Sequence, residues 1–186
     1  LSQQAGLSAQ EQAQLKALGI YINYNGYGRS VDDLHIAPDT LFNTLLNYPD
    51  PFTLVNEADS IFTLLEQAYL SDMTQAKQAK VLHDDSALQV IELEDAAWSR
   101  RVSGVYGNEL ANLNPNKAHA VFTLNIDNTY TVSLRAPINN KIGAGELCAQ
   151  FDTGGGRAAA AGINELPKEK LGNFIALVSK YYQYLT

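Results

Sequence analysis

Asp152-Thr153-Gly154-Gly155-Gly156-Arg157-Ala158-Ala159-Ala160-Ala161-Gly162 is a stretch with almost no side-chain bulk around a single arginine. Three consecutive glycines carry a large backbone-entropy cost. A fold accepts it where the main chain must take positive φ or let another group approach closely. The residues support two readings. In one, bare peptide N–H groups form an anion-cradling nest, and Arg157 adds a planar guanidinium matched to phosphate. A helix opening at Ala158–Ala161 would reinforce that preference. In the other, the glycines are a flexible turn or a tight packing contact.

Just upstream, Val132-Ser133-Leu134-Arg135 reads as strand. Alternation along a strand puts Ser133 and Arg135 on one face and Val132 and Leu134 on the other. Arg135 is thereby placed to share a pocket with Arg157, and two arginines converging on a glycine nest suit one or two phosphates. The alternative for Arg135 is a solvated surface ion pair.

Working outward, Leu88–Leu93 reads as a buried strand, Asp95 to about Leu113 as a helix stopped by Asn114-Pro115-Asn116, and 118–126 and 129–135 as antiparallel strands. Ile142–Phe151 reads as a short helix, 161–164 as a strand, and the chain from Pro167 as a final helix. Before residue 84 the pattern is helical. Ser8-Ala9-Gln10-Glu11 is a capping box whose helix stops at Gly19, followed by a β-prone Ile20–Tyr24 and turn residues Asn25-Gly26-Tyr27-Gly28. Pro38 opens a second helix, and apolar spacing from Phe52 to His83 predicts one long helix with a break near Ser71-Asp72. The expected fold is α/β, with a small mixed sheet flanked by helices and preceded by a mainly helical segment. Composition and rhythm change at His83–Ser86, which divides the chain into residues 1–84 and 85–186.

Composition narrows the function. The 186 residues are 46% hydrophobic, enough for a proper core. Thirteen Lys+Arg against twenty Asp+Glu give −7, which argues against a broad face for long nucleic acid but leaves room for a small basic pocket. A single cysteine, Cys148, rules out an internal disulfide framework and fits a reducing, cytoplasmic compartment. Neither a signal peptide nor a membrane-spanning apolar run is present in the sequence.

The ordered set of Val132-Ser133-Leu134-Arg135, the 142–151 helix, Gly154-Gly155-Gly156 and Ala160-Ala161-Gly162 resembles the C-terminal DHH-associated domain of DHH-family phosphoesterases. That domain typically reads as a Ser-X-Arg strand, a short helix, a Gly-Gly-Gly-His turn and Ala-Ala-Gly, and the likeness covers residues 88–166. Asn23–Gly28 with Asp32-Asp33-Leu34-His35 resembles the interdomain side of the same proteins' metal domain.

The resemblance implies a two-domain hydrolase of phosphodiesters or phosphoanhydrides, acting on short oligonucleotides, nucleotide phosphates, cyclic dinucleotides or polyphosphate. Its metal domain holds two divalent ions, usually Mn²⁺, on motifs that include Asp-His-His. Residues 1–84 would be the helical end of that domain and its linker, and 85–186 the substrate-binding domain. By the same resemblance Ser133, Arg135, Gly154, Gly155, Gly156 and Arg157 bind substrate. Two departures stand out. Arg157 replaces the family histidine, keeping a phosphate contact without a titrating proton. The chain also has no Asp-His-His; its histidines are His35, His83 and His119, none spaced to ligate a metal with another. Two-metal hydrolysis needs several carboxylate and imidazole ligands, so no catalytic or metal residue is expected here, and Mn²⁺ or Mg²⁺ would belong to a domain preceding residue 1.

The other polar candidates have plainer roles. Asp32-Asp33 reads as a helix or turn cap, His83-Asp84-Asp85 as solvated linker, and Glu92, Glu94 and Asp95 as a strand end and helix cap. Arg100-Arg101 reads as a charged helix face, Cys148 as a small buried residue, and Trp98 and Tyr106 as core or interface aromatics. Two further functions stay open: an acetyl-CoA-binding acyltransferase, whose Arg/Gln-X-X-Gly-X-Gly/Ala motif finds no proper match here, and a non-catalytic nucleotide-binding or dimerisation module. The expected partner is a phosphate-bearing small molecule or short oligonucleotide, with a homodimer as a further alternative and no membrane or long duplex.

Overall fold

The structure is a computed structural model and describes residues 6–184. It divides into two compact units, Leu1–Thr74 and Gln75–Thr186.

The first unit is helical. Helix α1 (Ala9–Tyr24) opens on the expected capping box, with the Ser8 hydroxyl accepting from the Glu11 amide and the Glu11 carboxylate accepting from the Ser8 amide at 2.7 Å. It does not stop at Gly19. Ile20–Tyr24, expected as strand, completes the helix, because Leu18, Tyr21 and Tyr24 fall three apart on one buried face. Burying that face outweighs both β-propensity and the roughly 1 kcal/mol cost of an interior glycine. Tyr21 packs there against Phe62 and Tyr69, with ring centroids 5.4 and 5.3 Å away.

Helix α2 (Pro38–Leu46) starts at its proline as expected. The single long helix expected over 52–83 is instead α3 (Pro51–Asn56), α4 (Ile61–Ala76) and strand β1 (Lys80–Asp84). Asp59 stands at φ 57, a left-handed conformation that a right-handed helix cannot pass through. Strand β1 exists through its partner: it pairs antiparallel with β2 (Leu88–Leu93), Lys80 opposite Glu92 and Asp84 opposite Gln89. The change of composition at His83–Ser86 marks the turn between these two strands, inside the second unit.

The second unit carries one sheet in the order β1-β2-β3-β4-β6-β5, with β3 (Ala118–Leu124), β4 (Thr129–Arg135), β5 (Gly154–Arg157) and β6 (Ala160–Pro167). Strands β2 and β3 are parallel, joined by α5 (Ala97–Leu113), and the other pairings are antiparallel. The mixed α/β sheet expected from sequence is therefore present. One sheet face, with Leu88, Val90, Phe122, Val132, Leu134 and Ile163, forms the core with α6 (Ala144–Cys148) and α7 (Leu171–Gln183). Phe122 meets Phe174 edge-on at 5.2 Å. Helix α5 packs on the opposite face: a Cβ at Gly107 would stand 3.7 Å from Val121 Cγ2. Strand β3 is buried almost throughout, whereas β4 alternates buried with half-buried residues, so the cover of α5 ends over β4.

The glycine stretch is neither a loop nor the lead-in to a helix. Gly154–Arg157 is the edge strand β5, paired with β6 from Gly154↔Ile163 to Arg157↔Ala160. Ala158 and Ala159 turn the hairpin, and Ala160–Ala161 enters β6. Of the expected 142–151 helix only α6 forms, ending where the chain turns back toward β5.

Candidate functional site

The pairing registers align the residues around the glycines into rows across three strands. Ser133 on β4 is opposite Gly162 on β6, which is opposite Gly155 on β5. Two residues along, Arg135, Ala160 and Arg157 form the next row. Directly paired residues share a sheet face, so Ser133, Arg135 and Arg157 stand around a floor made of two glycines and an alanine. Neighbouring strands are separated by about 4.8 Å, which sets the Arg135 and Arg157 backbones about 10 Å apart. Arg135 and Arg157 thus share one sheet face, two strands apart.

The three glycines divide by role. Gly155 faces this floor, and a Cβ there would touch nothing within 4 Å. Gly154 and Gly156 alternate to the opposite face. A Cβ on Gly154 would fall 1.8 Å from the Cys148 carbonyl oxygen, and Gly156 stands at φ 144 with Ala161 Cα 2.5 Å from its missing Cβ. These two glycines let β5 lie against α6 and β6; the expected nest of bare amides is replaced by paired strand. On the open face Gly162 joins the site, its hypothetical Cβ only 2.7 Å from the Val132 carbonyl oxygen.

Arg135 is half-buried and held by the protein. Its Nε donates to Asn108 Oδ1 at 2.6 Å, one terminal nitrogen donates to Ser133 Oγ at 3.0 Å and Leu134 O at 3.2 Å, and the other donates to Gly104 O at 3.1 Å. Gly104 and Gly107 are buried on α5, and a Cβ at Gly107 would stand 3.6 Å from Arg135 Cγ, an ordinary contact distance. Asn108 escapes a reading by residue type alone. The available signal was the pair of glycines three apart inside a helix, each costing about 1 kcal/mol unless something packs against the bare backbone. Arg157 is exposed at the end of β5.

The remaining polar candidates are engaged elsewhere. Asp32 and Asp33 lie in a short 3-10 turn, Val31–Asp33, as the expected acidic pair in a turn; Asp33 is buried and accepts from the Arg29 amide at 2.7 Å. His35 shares a hydrogen bond of 2.9 Å with Tyr24 Oη, and its ring lies 3.8 Å from the Asp72 carboxylate. His83 pairs with Asp85 at 2.8 Å. His119 is buried against the Asn114 carbonyl at 3.2 Å, and burial lowers its pKa. Arg100 pairs with Asp95, Trp98 Nε1 donates to Glu94, and Tyr130 donates to Glu92. Burial pushes the Cys148 thiol up to about 12, which leaves it unreactive near neutrality. Among the described residues no three His, Cys, Asp or Glu side chains group to hold a metal ion. The donor set among the described residues does not fit a two-metal centre. No helix among the described residues is long and apolar enough to cross a membrane.

The arrangement is that of a small α/β domain whose open face, beside the crossover helix, carries Ser133, Arg135 and Arg157. Residues 85–183 match the family model described as the DHHA1 domain, and the chain belongs to that family. No curated protein sequence matches it. Among solved structures it is similar to a pGpG-specific phosphodiesterase, PggH from Vibrio cholerae, at 14% identity and TM-score 0.55, over 81% of this chain and 52% of that one. It is also similar to CDC45 from Entamoeba histolytica at 13% identity and TM-score 0.50, over 90% and 36% of the respective chains. For RecJ from Thermus thermophilus in complex with Mg²⁺ the values are 16% identity and TM-score 0.49, over 90% and 28%. At these identities the likeness is one of fold. The chain spans about half the length of the first of these structures.

Proposed function

We propose that this chain is the substrate-binding C-terminal portion of a two-domain, metal-dependent phosphoesterase, cytoplasmic, acting on short oligonucleotides or on nucleotide and polyphosphate substrates. Residues 85–186 would be the substrate-binding domain, with β1 as its edge strand, and the helices before β1 the end of the metal domain with its linker. The chain alone would bind without catalysing; Mn²⁺ or Mg²⁺ would be held by a part of the longer protein outside this sequence. The supporting observation is the pair of rows Ser133–Gly162–Gly155 and Arg135–Ala160–Arg157, which set two arginines around a floor without side-chain bulk. A substrate that small matches the pGpG in the name of the similar Vibrio protein, and the net charge of −7 disfavours long nucleic acid.

Isothermal titration with a 5′-mononucleotide and a short oligonucleotide, compared with pyrophosphate and acetyl-CoA, tests the reading. Nucleotide binding that disappears in Arg135→Ala and Arg157→Ala is expected. Nucleotide binding unchanged by Arg135→Ala overturns the site, and binding of acetyl-CoA alone would favour an acyltransferase.

A further inference from the structure

The hydrogen bonds of Arg135 have a consequence for how the open face would hold an anion. A guanidinium has five N–H donors, and four bonds from Arg135 already run to Asn108, Ser133, Leu134 and Gly104. Resting on the phosphate-site reading, we propose that Arg135 contributes mainly charge and orientation, while Asn108 and Ser133 supply hydrogen-bond donors to the bound phosphoryl oxygens.

An amide oxygen that accepts from Arg135 Nε cannot be exchanged for the amide NH₂, since two donors would then face each other. The orientation of Asn108 is thus set by the chemistry of its partner rather than by choice of atom label. Its NH₂ group is turned away from Arg135, and among the described residues the Asn108 side chain makes no hydrogen bond other than the one at 2.6 Å to Arg135. Asn108 is exposed on α5, next to the half-buried end of β4. Ser133 Oγ likewise accepts from Arg135 at 3.0 Å, so its own hydrogen remains to donate, and Ser133 is paired with Gly162 at the edge of the open floor. The arginine converts two neutral side chains, each able to accept or donate, into donors that face a ligand beside a fixed positive charge. Donors held in place in this way give charge-assisted bonds to a phosphate oxygen.

The test is a titration of the 186-residue chain with pyrophosphate, read alongside a thermal melt. Asn108→Ala and Ser133→Ala are each expected to weaken binding about tenfold, the size of one hydrogen bond to a charged group. Asn108→Asp keeps the acceptor for Arg135 and removes the donors. It is expected to bind about tenfold more weakly than Asn112→Asp, which adds the same charge one turn further along α5. If Asn108→Asp and Asn112→Asp bind alike while Asn108→Ala is weak, Asn108 acts only by holding Arg135, and the donor assignment is overturned. It is equally overturned if Arg135→Ala and Arg157→Ala abolish binding while Asn108→Ala and Ser133→Ala bind normally. Binding unaffected by either arginine substitution would overturn the phosphate site itself, which separates that failure from the other two.

Discussion

Gly154 and Cys148 touch through their backbones: a Cβ on the glycine would stand 1.8 Å from the cysteine carbonyl oxygen. The short helix α6 and the edge strand β5 can lie together only because that Cβ is absent. One position along, Gly155 faces open space. The two glycines therefore predict opposite behaviour. Gly154→Ala should destabilise the second unit by about 2 kcal/mol or more through overpacking, seen as a lower denaturation midpoint. Gly155→Ala should leave that midpoint unchanged and still weaken pyrophosphate binding, because its methyl rises from the floor in the Ser133–Gly162 row, two residues along β5 from Arg157. Equal stability of the two variants would contradict the assigned faces.

Asp85 ties the β1–β2 turn to α7. Burial works against its charge, but hydrogen bonds from Ser179, His83 and the amides of Ala87 and Leu88 outweigh this and hold its pKa well below the usual carboxylate range. A carboxyl whose pKa is lower folded than unfolded stabilises the fold fully above its unfolded pKa of about 4, and that contribution drains away as pH falls below it. Asp85→Ala should cost about 2 kcal/mol at neutral pH. The gap between wild type and variant should close progressively below about pH 4, as measured by urea denaturation across pH. A gap that stays constant to low pH would show that the charge of Asp85 is not what stabilises the turn.

In the first unit, Asn25 organises the loop that follows α1. Its Oδ1 accepts from the amides of His35 and Ile36, both at 3.0 Å, and its Nδ2 donates to Ile36 O at 2.7 Å. With Asn25 almost fully buried, Asn25→Ala leaves those backbone groups without partners, at a cost of about 2 kcal/mol. Hydrogen exchange should speed at the His35 and Ile36 amides before it does in α1. Uniformly faster exchange over the whole unit would show that the loop is not held locally.

Cys148 lies in the core with its thiol pushed up to about 12 by burial. Thiol labelling of the native protein should be slow near neutral pH and become fast only with unfolding. Rapid labelling of the folded chain would mean that α6 opens readily from the sheet.

Local chemistry alone determined several elements. The capping box at Ser8, the proline-initiated α2, the buried β2 and the hairpin strands β3 and β4 all follow from short-range pattern, and so does the face shared by Ser133 and Arg135. The order of Ser-X-Arg, short helix, triple glycine and Ala-Ala-Gly was likewise legible as a family pattern. What tertiary structure decided were the segments whose conformation depends on a distant partner. Strand β1 reads as the end of a helix until β2 lies beside it. Ile20–Tyr24 reads as strand until its tyrosines are buried. The glycine stretch reads as a loop until β6 pairs with it. Asn108 comes to Arg135 from 27 positions earlier in the chain, and no periodicity announces that meeting. Patterns of 2 and 3.6 residues report the face an element offers; which element covers that face, and how closely its backbone approaches, is settled only when the chain packs.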